Sequence, residues 1–484
     1  MGAVNRARRP TRTARAAACA IATLLIATTG AAGQIRVPAA GEVDAVFAEF
    51  DATSPGCMLG VILDGRVVHS RGYGSANLDY RIPNGPEIVY YVGSVSKQFT
   101  AAAVALLALR GELSLDDDVR RFIPELPDYG RTMTVRHLVH HTSGLRDIYT
   151  LMSLAGIRME DVLTDEDALG LITRQRELNF LPGDDYLYSN SGYWLLGQIV
   201  ERVTGRTLRQ FTHDEIFAPL GMTNTHFHDN AREIVRNRAM SYAGIPDDFR
   251  VAYLSNFDKV GAGGLYTTLA DLARWDANFY QPTLGGTSFI DLMHSRGVLT
   301  GGDTLVYAFG INVQQRNGLP VVRHSGSLMG FRADLVRYPE QRFTVATMCN
   351  HSLINAAAYA DRVTDLYLGP LMRPATATAA AASAGPGRPA AQPHQPAAGS
   401  LELLAGRYYS EELDATYTVS AGADGLTLTR RLTGTQRMAA SPEQDVFTVG
   451  GQTFRFLRDG DGRVASFTVE AGRVRNIRFT RQYP

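Results

Sequence analysis

Ser94 and Lys97 stand three residues apart in Gly93-Ser94-Val95-Ser96-Lys97-Gln98-Phe99-Thr100, a spacing that puts a hydroxyl and an amine on one face of a helical turn. The run that follows, Ala101 to Arg110, is built of apolar helix formers and stops at Gly111, so Ser94 is expected at the start of a buried helix. A hydroxyl is a weak nucleophile until a neighbouring base takes its proton. An amine acts as that base only when burial or a nearby positive field lowers its pKa, and the free N–H groups at a helix N-terminus supply part of such a field. The Ser94 N–H, one of those unpaired donors, is also free to meet a developing oxyanion. An N-cap serine followed by a surface lysine would satisfy the same spacing. The cation inventory favours chemistry: of 48 Lys and Arg residues, lysine occurs only at Lys97 and Lys259. Arginine keeps its proton in a protein, so a cation that must also serve as a base has to be lysine.

Two later motifs carry polar groups suited to the same reaction. Tyr188-Ser189-Asn190 opens a second apolar helix, expected over Trp194 to Val203 with Ser191 or Asn190 as its cap and Gly205 as its stop. His324-Ser325-Gly326-Ser327 ends a strand-like run from Leu319. Taken singly, Tyr188 is equally a core tyrosine and His324 a packed strand histidine. Taken in order, Ser94-x-x-Lys97, Tyr188-Ser189-Asn190 and His324-Ser325-Gly326 resemble the penicillin-recognising serine hydrolases, which include class C β-lactamases, D-Ala-D-Ala carboxypeptidases, D-aminopeptidases and related esterases. The likeness covers roughly residues 40 to 370 and takes in His141-Thr142-Ser143-Gly144-Leu145 and Gly263-Gly264-Leu265.

The resemblance implies Ser94 as the acylated nucleophile, Lys97 as its activator and Tyr188 as a partner in proton transfer that also helps activate the deacylating water. It implies Asn190 as a ligand for the substrate amide, His324, Ser325 and Gly326 as a lining on an edge strand, and the N–H groups of Ser94 and Ser327 as the oxyanion hole. No cofactor and no metal is implied. One departure matters: β-lactamases and carboxypeptidases of this kind commonly carry Lys-Thr-Gly or Lys-Ser-Gly where this chain has His324-Ser325-Gly326. An imidazole with an ordinary pKa near ~6.5 is mostly neutral at pH 7, so its attraction for a substrate carboxylate is weaker than a lysine's. The expected activity is therefore a peptidase, amidase or esterase on D-amino-acid peptides, amides or esters, with at most weak β-lactam turnover. A competing expectation is a non-catalytic or acyl-trapping receptor for penicillins or peptidoglycan fragments. Intact Lys97 and Tyr188 favour turnover.

These residues need a scaffold, and the apolar pattern supplies one. Cys57 to Ser70 forms two apolar stretches around Asp64-Gly65, a hairpin signal. Three more strands are expected over Leu319 to Ser327, Gly330 to Tyr338 and Phe343 to Cys349, and a further helix over Leu269 to Phe279. Strands at both ends with helices between them predict an α+β fold, one antiparallel sheet flanked by a helical region, over residues 40–370. Residues 371–399 are rich in Ala and Pro with almost no large apolar side chain and read as a linker. Residues 400–484 alternate apolar and polar positions in short runs, with turns at Asp459-Gly460-Asp461-Gly462 and Ala471-Gly472, as in a small all-β meander or barrel. This module resembles the lipocalin-like domains appended to some members of the group, a position from which it would cap the cleft or mediate assembly.

Bulk composition excludes several partners. Basic and acidic residues number 48 each, which gives no footprint for nucleic acid. Residues 1–33 combine Arg6, Arg8, Arg9, Arg12 and Arg15 with an apolar run from Ala16 to Thr29 and then small residues, the parts of a secretory signal. The expected destination is periplasmic or extracellular, without a lasting membrane span. Cys57 and Cys349 both fall in strand-like runs, and export permits a disulfide between them without requiring one. His140-His141 reads as a turn after a helix, and His226 and His228 as surface residues without a third metal ligand.

Overall fold

The computed structural model describes residues 34–252, 256–373 and 401–483. The expected export signal and the expected linker from residue 374 onward lie outside the described residues. Six strands, β1 (Cys57–Leu63), β2 (Arg66–Tyr73), β3 (Asn312–Arg316), β4 (Leu319–Leu328), β5 (Phe331–Tyr338) and β6 (Phe343–Cys349), form one antiparallel sheet in the order β3-β4-β5-β6-β1-β2. The β1–β2 turn has positive φ at both Asp64 (51°) and Gly65 (74°), the backbone that a two-residue turn needs to match strand twist. Cys57 lies directly opposite Cys349 in the β1–β6 register, and the two sulfurs are bonded. The sequence left that pairing open because it depends on the register of strands 292 residues apart.

The sheet is covered on both faces. Leu59, Val61, Val336 and Val345 pack against Ala360, Val363 and Tyr367 of a C-terminal helix, Ala356–Leu368. The opposite face meets the helical region that holds α1 (Lys97–Leu109), α2 (Ile148–Ala155) and α3 (Asn190–Thr204). Every residue of α1 from Lys97 to Leu107 is buried, as a helix that is apolar on every face from Ala101 onward demands, and that burial includes Lys97, Gln98 and Thr100 in its first turn. Ser94 lies in the tighter 3₁₀ turn Gly93–Ser96 that leads into α1. The α3 helix begins at Asn190, four residues before the expected start. Neither Ser191 nor Asn190 caps it: the Asp147 carboxylate accepts the Asn190 N–H at 2.7 Å, so the cap comes from a distant loop.

Residues Gly406 to Gln482 form a nine-stranded antiparallel sheet. Its first strand, Gly406–Ser410, lies inside the sheet between Ala415–Gly422 and Val474–Gln482, and the two edge strands, Gly434–Arg437 and Ala439–Ala440, are consecutive in sequence, so the sheet nearly closes into a barrel. Tyr417, Phe467 and Phe479 stack at its centre. Among the described residues no helix is long and apolar enough to cross a membrane.

Candidate active site

Two glycines determine how close the nucleophile's turn can come to the sheet. A Cβ on Gly326 would lie 1.9 Å from the Val92 carbonyl oxygen and 2.9 Å from the Ser94 nitrogen, and one on Gly93 (φ 54°) would lie 2.5 Å from the Ser327 nitrogen. Only glycine permits this backbone-on-backbone contact. It brings the main chains of Ser94 and Ser327 together at the rim of a cleft of about 970 Å³. Tyr188, Asn190, His324, Ser325 and Gly326 line the same cleft, so residues from three widely separated motifs share one cavity.

Lys97 Nζ is 3.1 Å from Ser94 Oγ, 2.8 Å from Asn190 Oδ1 and 2.6 Å from the Ala262 carbonyl oxygen. The last two atoms only accept hydrogen bonds, so they take the two N–H groups of a neutral amine and leave its lone pair facing the Ser94 hydroxyl. Burial drives the Lys97 pKa well below the usual lysine value. The Asp147 carboxylate pulls it back up, and Arg473 and Lys259 push it further down. A buried ammonium without a directly paired carboxylate is costly, and the amine avoids that cost by releasing its proton.

Asn190 is occupied on both sides. Its Oδ1 holds Lys97 while its Nδ2 donates to Asp147 Oδ2 at 2.7 Å. The expected ligand for a substrate amide is thus the group that orients the lysine. Tyr188 stacks near Lys97, with Nζ 4.8 Å from its ring centroid. Burial raises the Tyr188 pKa above its ordinary value despite an opposing hydrogen bond with Ser94, so the phenol stays protonated.

His324 Nδ1 is 2.6 Å from the Ser325 carbonyl, to which it donates, and its Nε2 then accepts from the Tyr307 hydroxyl at 3.1 Å. Burial, followed by the nearby Lys97, pushes its pKa down to about 3, so this position carries no charge anywhere near neutral pH. The Ser325 hydroxyl donates to Asp334 at 2.6 Å. His141 does occupy a turn, with φ 58°, and its Nδ1 accepts the Ser189 N–H at 3.1 Å, which fixes the backbone just before Asn190.

The family comparison agrees with this geometry. The beta-lactamase family description matches residues 43–369. The chain belongs to the beta-lactamase family. It is 30% identical over 395 residues to a D-aminopeptidase of Cereibacter sphaeroides, covering 80% of this chain and 70% of that protein. It is also 30% identical over 298 residues to a D-aminopeptidase of Gluconobacter oxydans, covering 61% of this chain and 56% of that one, so the match spans little more than half that relative's length. Its fold is that of the octameric penicillin-binding protein homologue from Pyrococcus abyssi, with a TM-score of 0.61, 24% identity and coverage of 91% of this chain and 99% of that one. A D-amino acid amidase from Ochrobactrum anthropi SV3 complexed with D-phenylalanine shares the fold at a TM-score of 0.58 and 21% identity, covering 67% of this chain and 98% of that one.

Sequence reasoning missed several groups at this family site. Asp147 caps α2 through the Tyr149 and Thr150 N–H groups while holding Asn190, and a lone Asp before an apolar run signals only the cap. Tyr307 and the Ala262 carbonyl gave no signal. Arg473 comes from the C-terminal sheet, on the turn between strands Val464–Ala471 and Val474–Gln482, and no local pattern links it to the cleft. His226 and His228 depart from expectation: His228 is buried, and Glu233 supplies a third ligand-type atom within 4.8 Å of both. Burial keeps both imidazoles neutral, and Glu233 is committed to two hydrogen bonds from Arg209.

Proposed function

We propose that this protein is an exported serine hydrolase that cleaves amide or ester bonds of D-amino-acid substrates through an acyl-enzyme on Ser94. The observation that carries this reading is the buried Lys97 amine, 3.1 Å from the Ser94 hydroxyl and with two acceptors, Asn190 Oδ1 and the Ala262 carbonyl, already on its N–H groups. In the first step Lys97 takes the Ser94 proton as Oγ attacks the carbonyl carbon, and the Ser94 and Ser327 N–H groups receive the oxyanion. Tyr188 gives its phenolic proton to the departing amine or alcohol and recovers one from the Lys97 ammonium. Water then attacks the ester on Ser94 by the same proton path in reverse.

Several observations support the finer points. The D-aminopeptidase relatives point to amide bonds next to D-residues. His324 lies on β4, which pairs with β3 as well as β5 and so is not the edge strand expected from the sequence, and its uncharged ring deprives β4 of the cation that would hold a β-lactam carboxylate, which argues for at most weak β-lactam turnover. The Cys57–Cys349 disulfide suits an oxidising compartment and so supports export.

The test is a panel of p-nitrophenyl esters, N-acyl-D-aminoacyl anilides and a chromogenic cephalosporin, comparing wild type with Ser94→Ala. Ester or anilide turnover should exceed cephalosporin turnover and vanish in the variant. Stoichiometric acylation without turnover would instead support an acyl-trapping receptor.

A further inference from the structure

The C-terminal sheet is anchored to the catalytic region through its main chain. Arg146, fully buried, donates to the carbonyls of Arg475 (2.9 Å) and Asn476 (3.0 Å) and to Glu412 Oε1 (2.6 Å). Asn179 Nδ2 donates to the Arg473 carbonyl at 3.0 Å, and Asn179 Oδ1 accepts the Arg475 N–H at 2.8 Å. These bonds fix the backbone of the turn that carries Arg473 without using its side chain. The guanidinium reaches the cleft, 4.7 Å from the Tyr188 ring centroid and 44% exposed. Its Nη1 forms a long ion pair with Asp147 Oδ2 at 3.7 Å, beyond hydrogen-bond distance, and the guanidinium donates no hydrogen bond to a described residue. Its donors are therefore available to a ligand.

The charges around this cleft are lopsided. Asp147 is its sole lining carboxylate among the described residues, and its oxygens are taken up by the Asn190 N–H and Nδ2 and by the Tyr149 and Thr150 N–H groups, with Arg473 itself at ion-pair distance. Arg332 and Arg473 both line the cavity, and Arg332 spends one nitrogen on the carbonyls of Met329 and Phe331. A free substrate ammonium would find no open anionic partner, whereas a carboxylate would find Arg473.

We infer that Arg473 is the anion receptor of this cleft, so that the C-terminal sheet completes the binding site and selects substrates bearing a carboxylate over those bearing a free ammonium. This rests on the hydrolase reading above and narrows its substrate class. Arg473 enters from the C-terminal sheet rather than from β4, so the carboxylate it meets is not one held at His324. Two positions for that carboxylate share the same chemistry: the leaving residue or the acyl arm.

The test separates them by direct calorimetric binding to the full-length Ser94→Ala protein, which needs no turnover. The probes are acetyl-D-alanyl-D-alanine and its C-terminal carboxamide, succinyl-D-alaninamide and acetyl-D-alaninamide, and D-alanyl-D-alaninamide, which carries an ammonium and no carboxylate. At least one carboxylate probe should bind about tenfold or more tightly than its neutral partner, and the ammonium probe more weakly than either. That preference should fall to about unity in Ser94→Ala/Arg473→Ala and return in part in Ser94→Ala/Arg473→Lys, with thermal melts checking that each variant folds. Equal affinity for charged and neutral probes, or a carboxylate preference that survives loss of Arg473, would overturn the inference. Loss of ester turnover as a whole would count against the hydrolase reading instead, because this binding comparison does not depend on catalysis.

Discussion

Asn190 Oδ1 sits 2.8 Å from Lys97 Nζ while the same side chain's Nδ2 sits 2.7 Å from Asp147, so one amide links the lysine to a buried carboxylate without letting the two charges pair directly. This arrangement keeps the amine in place and neutral. A direct Lys97–carboxylate contact would stabilise the ammonium and disable the base.

Asp147 nevertheless raises the Lys97 pKa from a distance, against the larger lowering effect of burial. Removing its charge in Asp147→Asn should lower the Lys97 pKa, so the free base persists to lower pH. The acidic limb of kcat/KM is expected to move to lower pH. An acidic limb that stays in place or moves up would show that Asp147 does not act on Lys97.

Gly326→Ala places a methyl group 1.9 Å from the Val92 carbonyl oxygen, against main chain that has no rotamer to yield. The turn that carries Ser94 must then separate from β4. We expect a loss of about 1–3 kcal/mol in stability, together with a fall in turnover larger than the stability change explains, measured by urea melts and ester kinetics. Wild-type activity in this variant would mean that the close approach is not needed.

Lys259 is buried with its Nζ 4.3 Å and 4.6 Å from the ring centroids of Tyr149 and Phe257. Burial lowers its pKa to about 8. A lysine whose folded pKa lies below its unfolded value weakens the fold as pH falls from the unfolded value near 10.5 toward 8, and that loss stays constant below 8. Lys259→Met should therefore gain stability relative to wild type at pH 7, by up to about 3 kcal/mol, and gain almost nothing above pH 10.5. A stability difference that does not change between pH 7 and pH 10 would refute the assignment.

Much of this was legible in the chain itself. The Ser94–Lys97 spacing, the Asp64-Gly65 hairpin and the strands ending at Tyr338 and Cys349 are local signals, and the structure places each where periodicity and turn chemistry put it. Long-range relationships were not legible. The Cys57–Cys349 bond depends on strand register, the start of α3 on a carboxylate 43 residues upstream, and Arg473 on the docking of a separate sheet. Asn190 was placed at the site by its motif, but its two hydrogen bonds depend on partners that no nearby residue announces. The His226–His228 pair was judged by its neighbours in sequence, whereas Glu233 reaches it only through folding.

The central claim is that Lys97 is the uncharged base for Ser94, and the rate at which a fluorophosphonate labels the protein at pH 7, followed by intact mass and peptide mapping, tests it most directly. Wild type should be labelled once, at Ser94, while Lys97→Met, which has no base, and Lys97→Arg, which stays charged, should label at least about a hundredfold more slowly despite folding normally. Labelling of either variant at the wild-type rate, or a label carried by any residue other than Ser94, would contradict the account.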